Sequence, residues 1–391
     1  MRLVMIGDVG VVDDMVHIGD EAMFEAAVEE LADRGVEVTG VSSAPADTAA
    51  RYGVEAVHRI RFDGLDRAAS ESRLAAVVAG GADLAPDDTA HAVISAVAAA
   101  DGVIIAGGGN LASTWPLHVY ERAALAGLAE RTGTPLVVTG QTFGPHLVGR
   151  DRELVSSLLR SARRVGVRET ASQRLAAELG VDARRSVDDA SFLGMTETTQ
   201  PRAGVLVSLS LSLGGAPREE TVARIAALVD AAAATVGEPV RFHAHYGPVG
   251  ADAPRGDAVL HDEVRARMRT ASTVVPSGDA RAAASLARSS ALLITGRYHP
   301  AVFAAPAGVP VLGLVTDEYT AVKQRGALAH WAQDAVVPIV AADSEGITRL
   351  QQLWSGRHAI AGAAAQRRPA HRADAAAWWD QVVAAFAPRR I

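Results

Sequence analysis

The chain contains no cysteine, so neither a disulfide framework nor a thiolate metal site is open to it. Aromatic residues are sparse, at 4%. No apolar run reaches the roughly 18 residues that a membrane-spanning helix needs. The opening MRLVMIGDVG carries one Arg and too short an apolar run for a secretory signal. The expectation is therefore a cytoplasmic protein, with the inner face of a membrane as a compatible place of work. Excess positive charge is missing too. The formal net charge is −7 and the pI about 6.0, which excludes a sequence-independent grip on nucleic acid. Lysine is nearly absent: Lys323 is the one lysine, and every other residue among the 38 basic ones is Arg. An Ala- and Arg-rich composition fits a codon bias toward Arg. A lysine that stands against that bias suggests a position that needs a compact ammonium rather than a guanidinium fork, chance being the plain alternative.

What the chain does have is 391 residues at 49% hydrophobic, enough for two domains with sizeable cores. Residues 1–7 read as a strand, Gly7 to Gly10 as a loop, and HIGDEAMFEAAVEELADRG as a helix capped by Gly19 or Asp20 and ended by Gly35. Met23, Phe24, Ala27, Val28 and Leu31 give that helix an apolar stripe. VEVTGVSS is the next strand. Strand, glycine loop, helix, strand is the order of a doubly wound sheet. The glycine spacing is not G-x-G-x-x-G, so no dinucleotide fingerprint is present. A buried strand at 103–106 runs into Gly107, Gly108, Gly109 and Asn110, where a ligand or another backbone could approach closely. TPLVVTGQTFGP is a strand that ends in Gln141, Phe143, Gly144 and Pro145. A short strand precedes Arg168, and SVDDASFLG carries Asp188 and Asp189.

Residues 196–204 are polar, contain Pro201 and Gly204, and read as a linker. A second strand–helix series then begins with GVLVSLSLSLGG. PVRFHAHYG reads as one strand with His243 and His245 on one face. Without a third ligand at suitable spacing, these two fit a cleft or core role better than a metal site. ALLITGRYHPAVFAAPAGVPVLGL is a βαβ unit that places Arg297 and His299 just beyond a parallel strand, where open α/β sheets bind ligands. A fixed cation lies there beside a group that titrates near neutral pH. VVPIVAADS reads as the last strand. Residues 370–388 form a helix, and 366–391 could pack back on the first domain. The expected organisation is a domain at 1–195, the linker, a domain at 205–365 and the C-terminal helix.

Taken in order, GDEA at 19–22, GGGNL at 107–111, QTFGP at 141–145, VRETAS at 167–172, DDASF at 188–192, GRYH at 296–299 and KQRG at 323–326 resemble the polysaccharide pyruvyl transferase family. The resemblance covers about residues 1–330. It implies two Rossmann-like doubly wound domains facing a central cleft, as in GT-B glycosyltransferases, with the acceptor on the N-terminal side and the donor on the C-terminal side. It implies transfer of the enolpyruvyl group of phosphoenolpyruvate to a sugar of a polysaccharide or glycolipid precursor, giving a pyruvate ketal. The partners would be phosphoenolpyruvate and a sugar acceptor, a lipid-linked one being compatible. No metal or resident cofactor is expected, and a homo-oligomer is left open.

By position, His299, Arg297 and Arg168 match the family's catalytic residues, and Lys323 its lysine near the donor. Gly296 falls in the donor motif. Gly19, Asp20, Glu21, Gly108, Gly109, Asn110, Gln141, Asp189, His243 and His245 are the candidates for acceptor or cleft. Tyr298, Pro300 and Asp189 depart from the family pattern. Two other functions fit the same chain. One is a GT-B glycosyltransferase using a nucleotide sugar, with Asp317 and Glu318 placed to hold a ribose. The other is a non-catalytic relative that binds glycans.

Overall fold

Strands buried along their whole length, such as Leu136–Phe143, Val205–Ser208 and Leu292–Thr295, are what a parallel sheet covered by helices on both faces requires. The computed structural model describes residues 1–196, 201–250 and 254–387, and these strands belong to two such sheets. Each sheet lies in its own compact unit. The first unit comprises Met1–Val11, Met23–Asp189 and the chain from Ala373 on; the second comprises Val12–Ala22 and Ala190–Arg372.

In the first unit the sheet runs Glu55–His58, Glu37–Ser42, Arg2–Ile6, Gly102–Ile105, Leu136–Phe143, Arg164–Val167 and Arg184–Arg185. In the second it runs Ser272–Val275, Val240–His243, Val205–Ser208, Leu292–Thr295, Val311–Val315 and Val336–Pro338. Every pairing along these two paths is parallel. Numbered by chain order within each sheet, both read 3-2-1-4-5-6, the doubly wound order, and the first adds a seventh strand at its edge. Strand order reverses between strands 1 and 4, and the crevice at their carboxyl ends is where such folds take ligands.

One face of the first sheet buries Val4, Ile6, Val103, Ile105 and Val138 with Val119, Leu125 and Leu158 of its helices. The other face buries Leu3, Met5, Ile104 and Val137 with Phe24, Leu31, Trp378, Trp379, Val382 and Phe386. The last four belong to the C-terminal helix, which spans Arg357–Phe386 with Pro369 inside it and so begins well before 370. Among the described residues no helix is long and apolar enough to cross a membrane.

The structure departs from the sequence expectations where tertiary pairing intervenes. The first helix starts at Ile18, not after Gly19 or Asp20, because a short strand, Met15–His17, precedes it and Ile18 N–H donates to His245 C=O at 3.0 Å. Met15–His17 pairs antiparallel with Tyr246–Pro248. That pairing splits the expected strand PVRFHAHYG: Val240–His243 stays in the main sheet, and His245 lies outside any strand. Gly108–Leu111 is not a loop but a strand extension alongside Gln141 and Phe143. The last strand stops at Pro338 and gives way to short turns of helix. The division between the units falls at Asp189/Ala190, ahead of the 196–204 segment, of which 197–200 lie outside the described residues.

Trp378 carries much of the first unit's C-terminal docking. It is 2% exposed, lies against Gly166, and donates its indole N–H to Thr139 Oγ1 at 2.9 Å. Trp378→Ala should cost about 3–5 kcal/mol from lost burial and the cavity left behind. Urea unfolding followed by circular dichroism measures this, and a loss below about 1 kcal/mol would contradict the packing role.

Candidate functional site

In the second unit the strand Leu292–Thr295 ends at Gly296, whose N–H donates to Ser208 C=O of the neighbouring strand 1 at 2.9 Å. The chain therefore leaves the sheet at the point where strand order reverses. Thr295 Oγ1 accepts the N–H of Arg297 at 2.9 Å and fixes the turn. Arg297 then reaches Asp257 with two parallel bonds, Nε to Oδ2 at 2.8 Å and Nη2 to Oδ1 at 2.5 Å. Asp257 has a fully buried side chain and also accepts Tyr246 N–H at 2.9 Å and Leu211 N–H at 3.1 Å. A buried carboxylate is tolerated only when so fully matched, and its place in the first turn of the helix Asp257–Arg265 adds favourable dipole. Arg297 keeps 27% of its side chain exposed. Among the described residues no acceptor takes up its Nη1. Its guanidinium carbon lies 5.9 Å from the centre of the Tyr246 ring, on which His17 stacks at 4.1 Å.

His299 opens the helix Tyr298–Ala304 with its ring edge-on to Tyr298 at 5.0 Å and tilted against Phe303 at 6.1 Å. Its Nδ1 lies over Gly19, where any Cβ would collide with the ring. That is a physical reason for glycine in the GDEA stretch. Asp20 and Glu21 follow in the first turn of the helix Ile18–Ala32, Glu21 being 3% exposed. Lys323, on the helix Glu318–Ala329, donates to Tyr319 Oη at 3.1 Å. Its ammonium sits 4.5 Å from the Tyr319 ring centre and 5.2 Å from that of Tyr298. Such placement over aromatic faces suits an ammonium. The next residue, Gln324, donates to Arg297 C=O at 2.9 Å and ties the helix to the Arg297 turn. Tyr298 thus touches both His299 and Lys323.

Behind these lie three more histidines. His243 Nδ1 is 3.2 Å from Val275 C=O, and its ring is edge-on to His245 at 5.3 Å. Among the described residues nothing hydrogen-bonds either ring nitrogen of His245, which is 4% exposed. Burial, then the neighbouring His243, holds the His245 pKa well below the usual value. His261 is pushed down to about 4 by burial, and its Nε2 accepts Leu209 N–H at 2.9 Å. These rings are neutral at pH 7 and line the core side of the site. Among the described residues no three His, Cys, Asp or Glu side chains form a metal-holding group.

The remaining candidates lie in the first unit. Arg168 is 1% exposed, donates to Asp188 at 2.7 Å and Thr142 Oγ1 at 2.8 Å, and lies against Met23 Sδ. Its charge is spent inside the protein. Asp189, next to that pair, accepts Thr139 Oγ1–H at 3.0 Å and presses on Gly140 and Gly107, which leave it room. Burial, then the adjacent Asp188, raises its pKa to about 7. Gln141 donates to Ala106 C=O, and its Oε1, like Asn110 Oδ1, is buried without a partner among the described residues. Both amides border Gly108, and Gly109 is half-buried in the same strand. Sequence reasoning missed Asp257, His261, Tyr246 and Tyr319. Only Asp257 left a signal, an acid at the start of an amphipathic helix, and that signal marks hundreds of ordinary helices.

Two outcomes test these networks. Asp257→Asn sets an amide against the guanidinium and should cost about 3 kcal/mol, the low end for breaking a buried pair because Arg297 is partly solvated; an unchanged urea midpoint would contradict it. For Asp189, the folded carboxyl holds a proton between about pH 4 and 7 where the unfolded one, near 3.9, does not. The folded state binds more protons in that window, so this group's contribution to stability falls as pH rises through it. Asp189→Asn should therefore gain melting temperature relative to wild type as pH goes from 4 to 8, and a difference independent of pH would refute the assignment.

Comparison with solved structures shows the fold. UDP-GlcNAc 2-epimerase from Neisseria meningitidis, in a structure bound to UDP-GlcNAc, has a TM-score of 0.59 at 10% identity, with 99% of each chain covered. The α,α-trehalose 6-phosphate synthase from Burkholderia multivorans has a TM-score of 0.53 at 14% identity, covering 98% of this chain and 97% of that one. The glycosyltransferase SnogD from Streptomyces nogalater has 0.50 at 15%, with 99% of each covered. This is the fold of GT-B glycosyltransferases and epimerases. No curated protein matches the sequence significantly. The family model for polysaccharide pyruvyl transferase matches residues 17–318, a span that takes in Gly19, Arg168, Arg297 and His299 and stops just before Lys323. With well over half its length matched, the chain belongs to the polysaccharide pyruvyl transferase family, and its activity is that of a transferase in polysaccharide biosynthesis.

Proposed function

We propose that the donor is phosphoenolpyruvate and that it binds in the second unit against Arg297 and Lys323, with His299 as acid and base. The observation that carries this reading is the grouping around Tyr298. Arg297, His299 and Lys323 come from a strand end and a separate helix, yet Tyr298 touches two of them and Gln324 ties the third to the same turn. Phosphoenolpyruvate bears a carboxylate and a phosphate. A guanidinium with Nη1 to spare takes one of them in a charge-assisted bond, and a lysine held by tyrosines takes the other as a point charge. Arg168 has its charge matched by Asp188 and holds the first unit's core together.

The chemistry balances on one titrating group. His299 delivers a proton to C3 of the enolpyruvyl group, which leaves C2 cationic. A sugar hydroxyl attacks C2 and returns its proton to the imidazole. Phosphate departs from C2 and a second hydroxyl attacks, its proton leaving with the phosphate. The products are the ketal and inorganic phosphate. General acid–base action of this kind contributes about 10²–10⁴-fold, and the cations stabilise the charge that builds on the leaving phosphate. On the rival nucleotide-sugar reading the ribose would fall to Asp317 and Glu318; Asp317 Oδ1 already accepts Thr320 N–H at 2.8 Å and caps the helix Glu318–Ala329.

Thermal unfolding with phosphoenolpyruvate tests the donor. Ligand at about 100 times its Kd stabilises by about 2.7 kcal/mol. The wild type should show that shift and Arg297→Ala should lose it, while His299→Ala should keep it and lose 10²-fold or more in turnover. A shift with a nucleotide sugar and none with phosphoenolpyruvate would overturn the reading.

A further inference from the structure

The carboxyl ends of strands 1, 3 and 4 in the first unit hold a second group of side chains that none of the motifs above includes. Asp8 follows the strand Arg2–Ile6, Arg59 follows Glu55–His58, and Trp115 and His118 stand at the start of the helix Pro116–Thr132, after the strand Gly102–Ile105 and its extension. The foundation is buried and charged. Glu121 and Arg122 have side chains 1% and 2% exposed and pair at 3.1 Å, and Arg59 binds Glu121 at 2.6 Å. Arg59 also reaches Asp8 at 3.2 Å. This base fixes the outer members, as a preorganised site requires.

Those outer members face solvent. Asp8 keeps 29% of its side chain exposed and His118 22%. Trp115 is 43% exposed, its ring edge-on to His118 at 6.4 Å. A large indole left open beside polar groups offers a flat apolar face to a ligand. The imidazole has a defined form. Arg122 and Arg59 present N–H groups to His118 Nδ1 at 3.1 and 3.4 Å, so that atom accepts and the ring proton sits on Nε2. Burial and Arg122 lower its pKa to about 4, so it is neutral at pH 7. Among the described residues nothing hydrogen-bonds Nε2. On the strand leading into Trp115, Asn110 carries a buried amide oxygen without a donor among the described residues.

We propose that this corner of the first unit binds the pyranose ring of the acceptor sugar, with Trp115 as the stacking plate, Asp8 as the acceptor of hydroxyl protons and His118 Nε2–H as the donor. A pyranose has an apolar C–H face, which suits the negative face of an indole, and an edge of hydroxyls that both give and take hydrogen bonds. Phosphates and carboxylates fit poorly, since Asp8 repels them and His118 is uncharged. The inference rests on the transferase reading only in naming the sugar as the acceptor.

Saturation-transfer NMR with methyl glucoside, galactoside, mannoside and N-acetylglucosaminide at millimolar concentration tests it on the full chain. At least one glycoside should receive saturation from the wild type and bind Trp115→Ala and His118→Ala tenfold or more weakly. Both variants should keep the wild-type circular dichroism and the melting shift with phosphoenolpyruvate. A glycoside held equally well by Trp115→Ala would overturn the site, and so would the absence of binding by the wild type. If the wild type binds a glycoside through Trp115 but shows no shift with phosphoenolpyruvate, the sugar site stands and the donor assignment alone falls.

Discussion

A carboxylate removed entirely from water must have its oxygens met by donors, and Asp257 obtains four: two from Arg297 and one each from the backbones of Tyr246 and Leu211. Meeting that demand ties together three separate parts of the second unit. Leu211 lies beyond strand 1, Arg297 beyond strand 4, and Tyr246 on the short strand that pairs with Met15–His17. The arginine is therefore aimed before any ligand arrives. Its rigidity passes outward through Gln324 to the helix that carries Lys323 and through the turn to His299.

The same reasoning explains residues that look arbitrary in isolation. Gly19 is glycine because an imidazole lies on its Cα. Tyr298 serves the one lysine as an aromatic face, so a departure from the family pattern is matched by a contact on the neighbouring helix. Asp189 is the reverse of Asp257. It sits beside an acid that has already claimed Arg168, and burial and that neighbour raise its pKa to about 7.

Both units use one strand order, and both place their polar clusters at the carboxyl ends of strands 1 and 4. Their chemistry differs. The second unit presents a guanidinium, an ammonium and an imidazole, a set suited to anions. The first presents an open indole, a carboxylate and a neutral imidazole over a base of paired charges, a set suited to hydroxyls and C–H faces. Fold supplies the crevice, and the side chains decide what enters it.

Apolar runs such as LLIT, VLVS and LVVT, bounded by glycines and followed by helical stripes, determined by themselves that this chain would form parallel sheets covered by helices. Burial on both faces leaves no polar alternation, and that is legible residue by residue. The ordered motifs likewise marked Arg297, His299 and Lys323, since each is a chemical group whose type shows in the sequence. Which partner each group meets was decided only by the tertiary structure. The pairing of His17 with Tyr246 joins positions more than 200 residues apart and moves the start of a helix. Asp257 reads as an ordinary helix-start acid until Arg297, 40 residues on, arrives at it. Arg168 looks like a free cation until Asp188 takes its charge. Such pairings depend on where strands end in space, and local sequence carries no record of that distance.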